Sequence, residues 1–192
     1  GVDTITDFFN ERVVNDIIRI KGKADLITAN NVFAHINDIQ SVVANVKKLL
    51  KDDGTFIIEV QYLLDTIKNL NFDNIYHEHV SYFCLLSLNE FFNRQDMQIF
   101  NVEHVDSHWG SLRVFIQRSD VAKHSLSQSV SKILEEEKNF GLNRLDIYLK
   151  FANAVYNVRD RFRRTMDELK IKGKTIVGYG APAKATTLLN FA

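Results

Sequence analysis

The segment that decides the fold runs from residue 24 to residue 60 and contains two apolar strands around an amphipathic helix. Residues 24–29 are Ala-Asp-Leu-Ile-Thr-Ala, and residues 56–60 are Phe-Ile-Ile-Glu-Val. Between them, apolar side chains recur at helical spacing at Ile39, Val42, Val43, Val46, Leu49 and Leu50. Strand, helix and strand in succession predict a parallel sheet with helices packed on it.

The same alternation extends toward the N-terminus. Residues 2–5 predict a further strand, and residues 10–20 predict a helix with its apolar side chains on one face. The first 60 residues therefore predict an open α/β sheet whose helices connect parallel strands.

The pattern changes after residue 60. Ser87 and Glu90 have the spacing of a capping box, which predicts a helix that begins at Ser87 and ends near Gln95. Residues 97–105 and 112–117 predict two strands joined by a short loop, and strands joined so closely are most simply antiparallel. We therefore expect an α/β fold in which a mostly parallel sheet has an antiparallel edge.

The C-terminal part predicts two helices at residues 125–140 and 144–170, then a short strand at 175–177, a loop and a new helix. One strand and the start of one helix cannot bury their apolar faces alone. We therefore divide the chain into a sheet domain (1–122), a helical connection (123–171) and the start of a second α/β domain (172–192).

Composition excludes several classes of function. The 192 residues include 24 basic and 24 acidic side chains, so no net charge attracts nucleic acid or an anionic membrane. No apolar run reaches the roughly 20 residues that span a bilayer. The single cysteine, Cys84, cannot form an internal disulfide or a cysteine-rich zinc site, and we expect a cytoplasmic protein.

The segment most informative about chemistry is residues 72–83, Phe-Asp-Asn-Ile-Tyr-His-Glu-His-Val-Ser-Tyr-Phe. If it is extended, His77 and His79 point to one side, and Tyr76 and Glu78 point to the other. Histidine is a good general base near neutral pH, and a carboxylate can fix its tautomer. The alternatives are a set of surface histidines beside a core tyrosine, or a metal site completed by Glu78, His104 or His108.

This segment resembles a motif of the deoxysugar C-methyltransferases, which use S-adenosylmethionine. Residues 88–92 (Leu-Asn-Glu-Phe-Phe), 108–114 (His-Trp-Gly-Ser-Leu-Arg-Val) and 178–184 (Gly-Tyr-Gly-Ala-Pro-Ala-Lys) continue the resemblance in the same order. The resemblance implies a partial class I methyltransferase sheet, similar to a Rossmann fold. It also implies methylation of a carbon beside the ketone of a nucleotide-linked keto-deoxysugar.

The resemblance assigns roles to the residues of the motif. It implies that His79 removes a proton from carbon, and that Glu78 and Tyr76 orient this base or stabilise the enolate. It places Ser81 at the substrate, and it leaves His77 either in contact with the sugar or simply packed. The local chemistry and the resemblance agree on a pocket centred on this motif.

Residues upstream of the motif are expected to hold the cofactor, because ligands of open α/β sheets bind at the carboxyl ends of the strands. Asp7 and Phe8 resemble the segment that covers the adenine. Asn30 and Asn31 resemble the loop beside the transferred methyl group. His35 is either a second active-site histidine or a polar residue before a helix.

Two further loops are expected to contact substrate. His108, Gly110 and Ser111 lie in one of them, where Trp109 either stacks on a sugar or a base or packs on the sheet. The other contains Tyr179, Gly180 and Lys184. By itself its Gly-x-Gly-x-x-Ala pattern suggests a dinucleotide site, but the resemblance favours the diphosphate of a nucleotide sugar.

Some expected parts are not found before Gly1. The resemblance places a glycine-rich cofactor loop, an acidic residue for the ribose and a cysteine-rich zinc domain upstream, so we interpret the chain as a fragment. An NAD-dependent oxidoreductase and a non-catalytic remnant that binds sugar nucleotides remain as alternatives. The sequence does not fix the oligomeric state.

Overall fold

The computed structural model describes residues 1–180 and 182–192. Its strands are β1 (Ala24–Asn30), β2 (Leu50–Gln61), β3 (Met97–Val105) and β4 (Ser111–Arg118). Its helices are α1 (Glu11–Lys21), α2 (Ile39–Leu49), α3 (Leu63–Lys68), α4 (Leu85–Asn93), α5 (Gln128–Phe140), α6 (Leu145–Ile171) and α7 (Ala183–Phe191). Short 3-10 turns lie at Phe33–His35 and Phe72–Asn74.

The sheet has the strand order β1-β2-β4-β3. β1 and β2 are parallel and are connected through α2, whereas β4 is antiparallel to both β2 and β3. The expected α/β class, with a parallel part and an antiparallel edge, is confirmed. β2 and β4 form the centre of the sheet, and their buried apolar residues include Phe56, Ile58, Val60, Leu112, Val114 and Ile116.

The predicted strand at residues 2–5 is wrong. These residues form no strand, and Val2 and Ile5 are exposed. An extended segment becomes a strand only when its backbone groups pair with a neighbour, and no described strand is bonded to the outer edge of β1. The apolar residues of this segment were therefore not enough to make it a strand.

Aromatic side chains form the centre of the core between the sheet and its helices. Phe33, Phe56 and Phe92 are completely buried, and their ring centroids lie 6.3–6.5 Å apart. They come from the turn after β1, from β2 and from α4. Burial of these rings fixes the turn after β1 against the sheet, and that turn leads to the candidate site.

The helix expected to begin at Ser87 begins at Leu85 instead. The carboxylate of Glu137, from α5, accepts hydrogen bonds from the backbone N–H groups of Leu85 at 2.6 Å and Leu86 at 2.7 Å. Free N–H groups at a helix N-terminus need such acceptors. Glu137, which is 52 residues from Leu85 in sequence, therefore helps to set the start of α4. The local spacing of residues 87–90 did not reveal this contact.

The C-terminal part packs on the sheet domain through α7. Phe191 of α7 contacts Phe72 and Tyr156 of α6, with ring centroids 5.6 and 5.7 Å apart. The predicted strand at residues 175–177 is wrong, because this segment is unpaired and Val177 is exposed. Without a partner strand it has no ladder to join.

Within the part of the chain that the structure describes, no helix is both long enough and apolar enough to cross a bilayer.

Candidate active site

A small cavity of about 160 Å³ opens at the carboxyl ends of β1 and β2. Four separate segments of the chain line it, through Asn31, Ala34, His35, Glu59, Val60, Gln61, Tyr76, His79 and His108. Crevices at the carboxyl ends of strands are the usual ligand sites of open α/β sheets. The cavity therefore has the position that the sequence predicted.

The motif at residues 76–79 enters this cavity as a turn. The backbone N–H of His79 donates to the carbonyl of Tyr76 at 3.0 Å, which closes a four-residue turn. The alternation expected of an extended segment is therefore absent. Tyr76 and His79 share the cavity side, and their ring centroids are 4.3 Å apart.

Hydrogen bonds fix the tautomer of His79. Its Nδ1 lies 2.8 Å from the carbonyl oxygen of Asn74, so Nδ1 must hold a proton that it donates. Nε2 of the neutral ring is then a free base, and it lies 3.3 Å from the hydroxyl of Tyr76. The orienting acceptor is a backbone carbonyl, which the sequence motif did not identify.

His35 is bound in the same manner. Its Nδ1 lies 2.8 Å from the backbone carbonyl of Glu78, and its ring centroid is 4.9 Å from that of His79. The carbonyl accepts a hydrogen bond from the Nδ1–H group, which again leaves Nε2 as the unprotonated nitrogen. The site therefore contains two adjacent imidazoles in the same tautomer, with the proton on Nδ1.

Tyr76 stays a neutral hydrogen-bond donor in this site. Partial burial and the charge of Glu78 both raise the pKa of the Tyr76 hydroxyl above its usual value. A neutral phenol can donate to a nearby nitrogen or to a developing oxyanion.

The floor of the cavity contains a carboxylate that sequence reasoning missed. Glu59, near the end of β2, is 6% exposed and accepts hydrogen bonds from Nε and Nη2 of Arg113 at 3.2 and 2.9 Å. Burial opposes its charge, but the bonds from Arg113 and Ser107 hold the pKa of Glu59 below its usual value. The sequence feature that could have identified Glu59 is that it is the single acidic residue in the apolar run 56–60, close to Gln61.

The loop between β3 and β4, residues 106–110, forms one wall. The hydroxyl of Ser111 donates to the carbonyl of Ser107 at 2.9 Å, and the N–H of Gly110 donates to the same oxygen at 3.0 Å. These contacts close the loop and direct His108 into the cavity. Gly110 and Ser111 are buried, so they shape the wall and do not face the cavity opening.

Comparison with known proteins assigns the chain to a family. Residues 3–102 match the family described as Methyltransferase domain, and residues 106–192 match the C-methyltransferase C-terminal domain. The chain belongs to the methyltransferase domain family. The resemblance to C-methyltransferases that the motifs suggested is thus confirmed.

A curated relative agrees with this assignment. The chain is 39% identical over 189 residues to the C-methyltransferase NovU of Streptomyces niveus. The aligned region covers 98% of this chain and 45% of NovU, so the chain spans less than half the length of that relative.

Solved structures show a partial likeness. A methyltransferase from Anabaena variabilis, described as SAM-dependent, is 12% identical with a TM-score of 0.44, covering 60% of this chain and 57% of that one. Magnesium protoporphyrin IX methyltransferase (ChlM) from Synechocystis, solved with SAH, is 13% identical with a TM-score of 0.40, covering 54% and 49%.

Several predicted residues of the methyltransferase domain lie outside the cavity lining. Asp7 forms an ion pair with Arg12, and Phe8 is exposed. Four further predicted residues also lie outside the lining: Asn30, His77, Glu78 and Ser81. The exposed carboxylate of Glu78 lies 3.9 Å from Nε2 of His77. Only the backbone of Glu78 contacts the site.

The predicted diphosphate loop is also apart from the cavity. Tyr179 and Gly180 are exposed, whereas Lys184 in α7 places its Nζ 5.9 Å from the ring centroid of Trp109. Ala181 of this motif lies outside the described residues. The expected strand before the loop is missing, so the strand–loop–helix context of a dinucleotide site is not present here.

The alternative interpretation of a metal site has no matching ligand set among the described residues. Among residues 1–180 and 182–192, no three His, Cys, Asp or Glu side chains come together as metal ligands would. Cys84 is buried, and burial raises the pKa of its thiol, so it is a poor nucleophile.

Proposed function

We propose that this chain provides the acceptor side of an S-adenosylmethionine-dependent C-methyltransferase that methylates a carbon beside a ketone. The proposed acceptor is a nucleotide-linked keto-deoxysugar. The observation that supports it most directly is the hydrogen bond from Nδ1 of His79 to the Asn74 carbonyl, because it leaves Nε2 as a base in the cavity.

The chemistry requires a carbon acid to lose a proton before the carbon can accept a methyl group. His79 would take that proton at Nε2, and the Asn74 carbonyl would stabilise the resulting imidazolium through Nδ1. This arrangement resembles the way a carboxylate holds a catalytic histidine, with a neutral carbonyl in its place.

Tyr76 would stabilise the charge that develops on the ketone oxygen. Its hydroxyl lies 3.3 Å from Nε2 of His79, so a ketone bound beside this pair could be reached by both groups. Because its pKa is raised, the phenol keeps its proton and can donate it in a hydrogen bond to the enolate. His35 would supply a second polar contact at the same end of the cavity.

S-Adenosylmethionine would supply the methyl group as an electrophile. Its methyl end would lie beside Asn31 and His35, which follow β1 and line the cavity. Asn31 has a left-handed backbone (φ 53°), a conformation common in asparagine and often found near ligands. The buried carboxylate of Glu59 is compatible with a cationic group nearby.

The assignment of His79 can be tested by isotope exchange. In the full-length protein, we expect His79→Ala to reduce hydrogen–deuterium exchange beside the substrate ketone by about 100- to 10,000-fold. His77→Ala is the matched control, because His77 is an exposed neighbour with the same ring, and it should leave exchange unchanged. Normal exchange in the His79 variant would remove this base from the mechanism.

The cofactor class can be tested by calorimetry on the full-length protein. S-Adenosylhomocysteine should bind with measurable heat, whereas NAD should not. Binding of NAD alone would contradict the proposal and favour the oxidoreductase alternative.

A further inference from the structure

We infer that Glu59 and Arg113 form a positioning pair that holds two loops of the candidate active site at a fixed separation. The first loop begins at Asn31, directly after β1, and the second is the 106–110 loop, which brings His108 into the cavity. This role rests on the proposed function, because the pair would keep the cofactor side and the acceptor side of the cavity in register.

The pair belongs to a row of facing residues that crosses the sheet. Glu59 lies opposite Asn30 of β1 and Arg113 of β4. Arg113 in turn lies opposite Glu103 of β3. Side chains of residues directly opposite each other on neighbouring strands share one face, so these charges can meet. Arg113 donates from Nε and Nη2 to Oε2 of Glu59, at 3.2 and 2.9 Å, and from Nη1 to Oε2 of Glu103 at 3.2 Å.

The two carboxylates on Arg113 differ in burial. The side chain of Glu59 is 8% exposed, whereas that of Glu103 is 47% exposed. Exposed ion pairs contribute little to stability, but a buried charge that loses its partner is strongly destabilising. The geometry of the pair therefore depends on Glu59, and Glu103 is a contact that the protein can lose.

Glu59 contacts both loops. Its backbone carbonyl accepts a hydrogen bond from the N–H of Asn31 at 2.9 Å. Both bonds from Arg113 end on Oε2, which leaves Oε1 for other donors. The side chains of Ser107 and Asn31 are close enough to stabilise the same carboxylate. One residue in the floor of the cavity thus connects the loop after β1 with the 106–110 loop.

The backbone of both loops needs such support. Asn31 has a φ of +53°, and His108, Trp109 and Gly110 have successive φ values of +51°, +70° and +112°. Left-handed backbone is costly for residues other than glycine and persists only where the surroundings hold it. Trp109 does not anchor its loop, because its side chain is 72% exposed and does not pack on the sheet, which was one of the two sequence interpretations.

The far end of the 106–110 loop is held independently of Glu59. The N–H of Tyr62 donates to the carbonyl of Gly110 at 3.0 Å, and a Cβ on Gly110 would overlap the carboxylate of Asp65. Glycine is therefore required at residue 110 both by its φ and by this close approach. Loss of the Glu59 contact should loosen the loop at Ser107 without releasing its other end.

Amide hydrogen exchange, followed by NMR, tests this role without cofactor or turnover. The N–H of Gly110 donates to the carbonyl of Ser107, and that of Asn31 donates to Glu59, so each amide reports on one loop. In the 192-residue chain we expect Glu59→Gln to raise both exchange rates about tenfold, because a neutral amide binds Arg113 more weakly. The N–H of Gly141, at the end of α5, should exchange at the wild-type rate and reports on general stability.

Two further variants isolate the pair. Glu103→Gln is the matched control, because it removes the exposed partner of the same guanidinium and should change either exchange rate less than about twofold. Arg113→Gln should also speed the exchange of both amides. The double variant Glu59→Gln/Arg113→Gln should exchange no faster than Arg113→Gln alone, because the two residues act as one unit.

Kinetics on the full-length protein separate positioning from direct contact with the cofactor. Glu59→Gln should lower kcat for methyl transfer about 10- to 100-fold, because a small misplacement of the loops is costly. Its affinities for S-adenosylmethionine, which carries a sulfonium, and for S-adenosylhomocysteine, which does not, should change by similar factors.

Several outcomes would overturn the positioning role. These are unchanged exchange at Asn31 and Gly110, an equal response in Glu103→Gln, equally faster exchange at Gly141, and a normal kcat in Glu59→Gln. A loss of affinity for S-adenosylmethionine alone would make Glu59 a direct cofactor contact instead. If the wild-type protein transfers no methyl group, the proposed function fails, whereas the exchange rates still decide whether Glu59 holds the two loops.

Discussion

Two motifs that look equally functional in sequence have different environments in the structure. The Tyr76–His79 turn is hydrogen-bonded on both sides, through Asn74 and through His35. The 178–184 motif has an unpaired segment before it, and its Tyr179 is exposed. Pre-organisation distinguishes them, because hydrogen bonds to the backbone orient His79 of the first motif and His35 beside it, whereas the described glycine-loop residues 178–180 are exposed.

The comparison of the two motifs shows which structural elements hold each backbone in place. The first motif is followed closely by α4, whose N-terminus is held by Glu137 of α5, and both helices pack on the core. The second motif is followed by α7, whose contacts involve Phe191 rather than the glycine loop. A motif therefore becomes a site when distant elements fix its backbone.

Among the variants that compare the two motifs, Tyr76→Phe is expected to have the largest effect. Loss of the hydroxyl removes a donor to the developing enolate, and methyl transfer by the full-length protein should fall about 100-fold. Tyr179→Phe is the control from the other motif and should change the rate less than about twofold. The rate constant kcat measured for both variants tests this contrast, and equal losses would refute it.

Glu137→Gln should produce the next largest effect. Glutamine can accept from only one of the Leu85 and Leu86 N–H groups, so a buried donor is left without an acceptor. We expect the free energy of unfolding of the chain to fall by about 2 kcal/mol, measured by urea denaturation. An exposed acid such as Glu135 gives the control, Glu135→Gln, with a change within about 0.5 kcal/mol.

The same carboxyl group predicts a pH dependence. Burial raises the pKa of Glu137 in the folded state above its ordinary value of 4.5. A raised folded pKa means that the folded state holds the proton more tightly, so this stabilisation is complete below pH 4.5 and is lost as pH rises through the raised pKa. The stability difference between wild type and Glu137→Gln should therefore shrink with rising pH. A difference that grew over this window would contradict the assignment.

Tyr179→Ala should have the smallest effect. Its side chain is fully exposed, so its removal should change the free energy of unfolding by less than about 0.5 kcal/mol. Denaturation of this variant beside Glu137→Gln measures the contrast directly. A loss above 1 kcal/mol would show that the 178–184 motif is packed in solution.

Much of the fold followed from local pattern. The limits of β3 agree with those predicted, and those of β1, α1 and α6 differ by only a residue or so. The predicted strands at residues 2–5 and 175–177 failed because a strand needs a partner, and pairing is not encoded locally. The start of α4 was misplaced because its cap comes from Glu137.

The sequence alone determined which chemical groups are available: an imidazole base, a phenol and a second histidine in a segment that resembles C-methyltransferases. Tertiary structure decided which of them meet. It brought His35, Glu59 and His108 to His79 and left the Glu78 side chain exposed. The physical reason is that residue type is local, whereas the tautomer, pKa and orientation of a side chain depend on partners that only folding supplies.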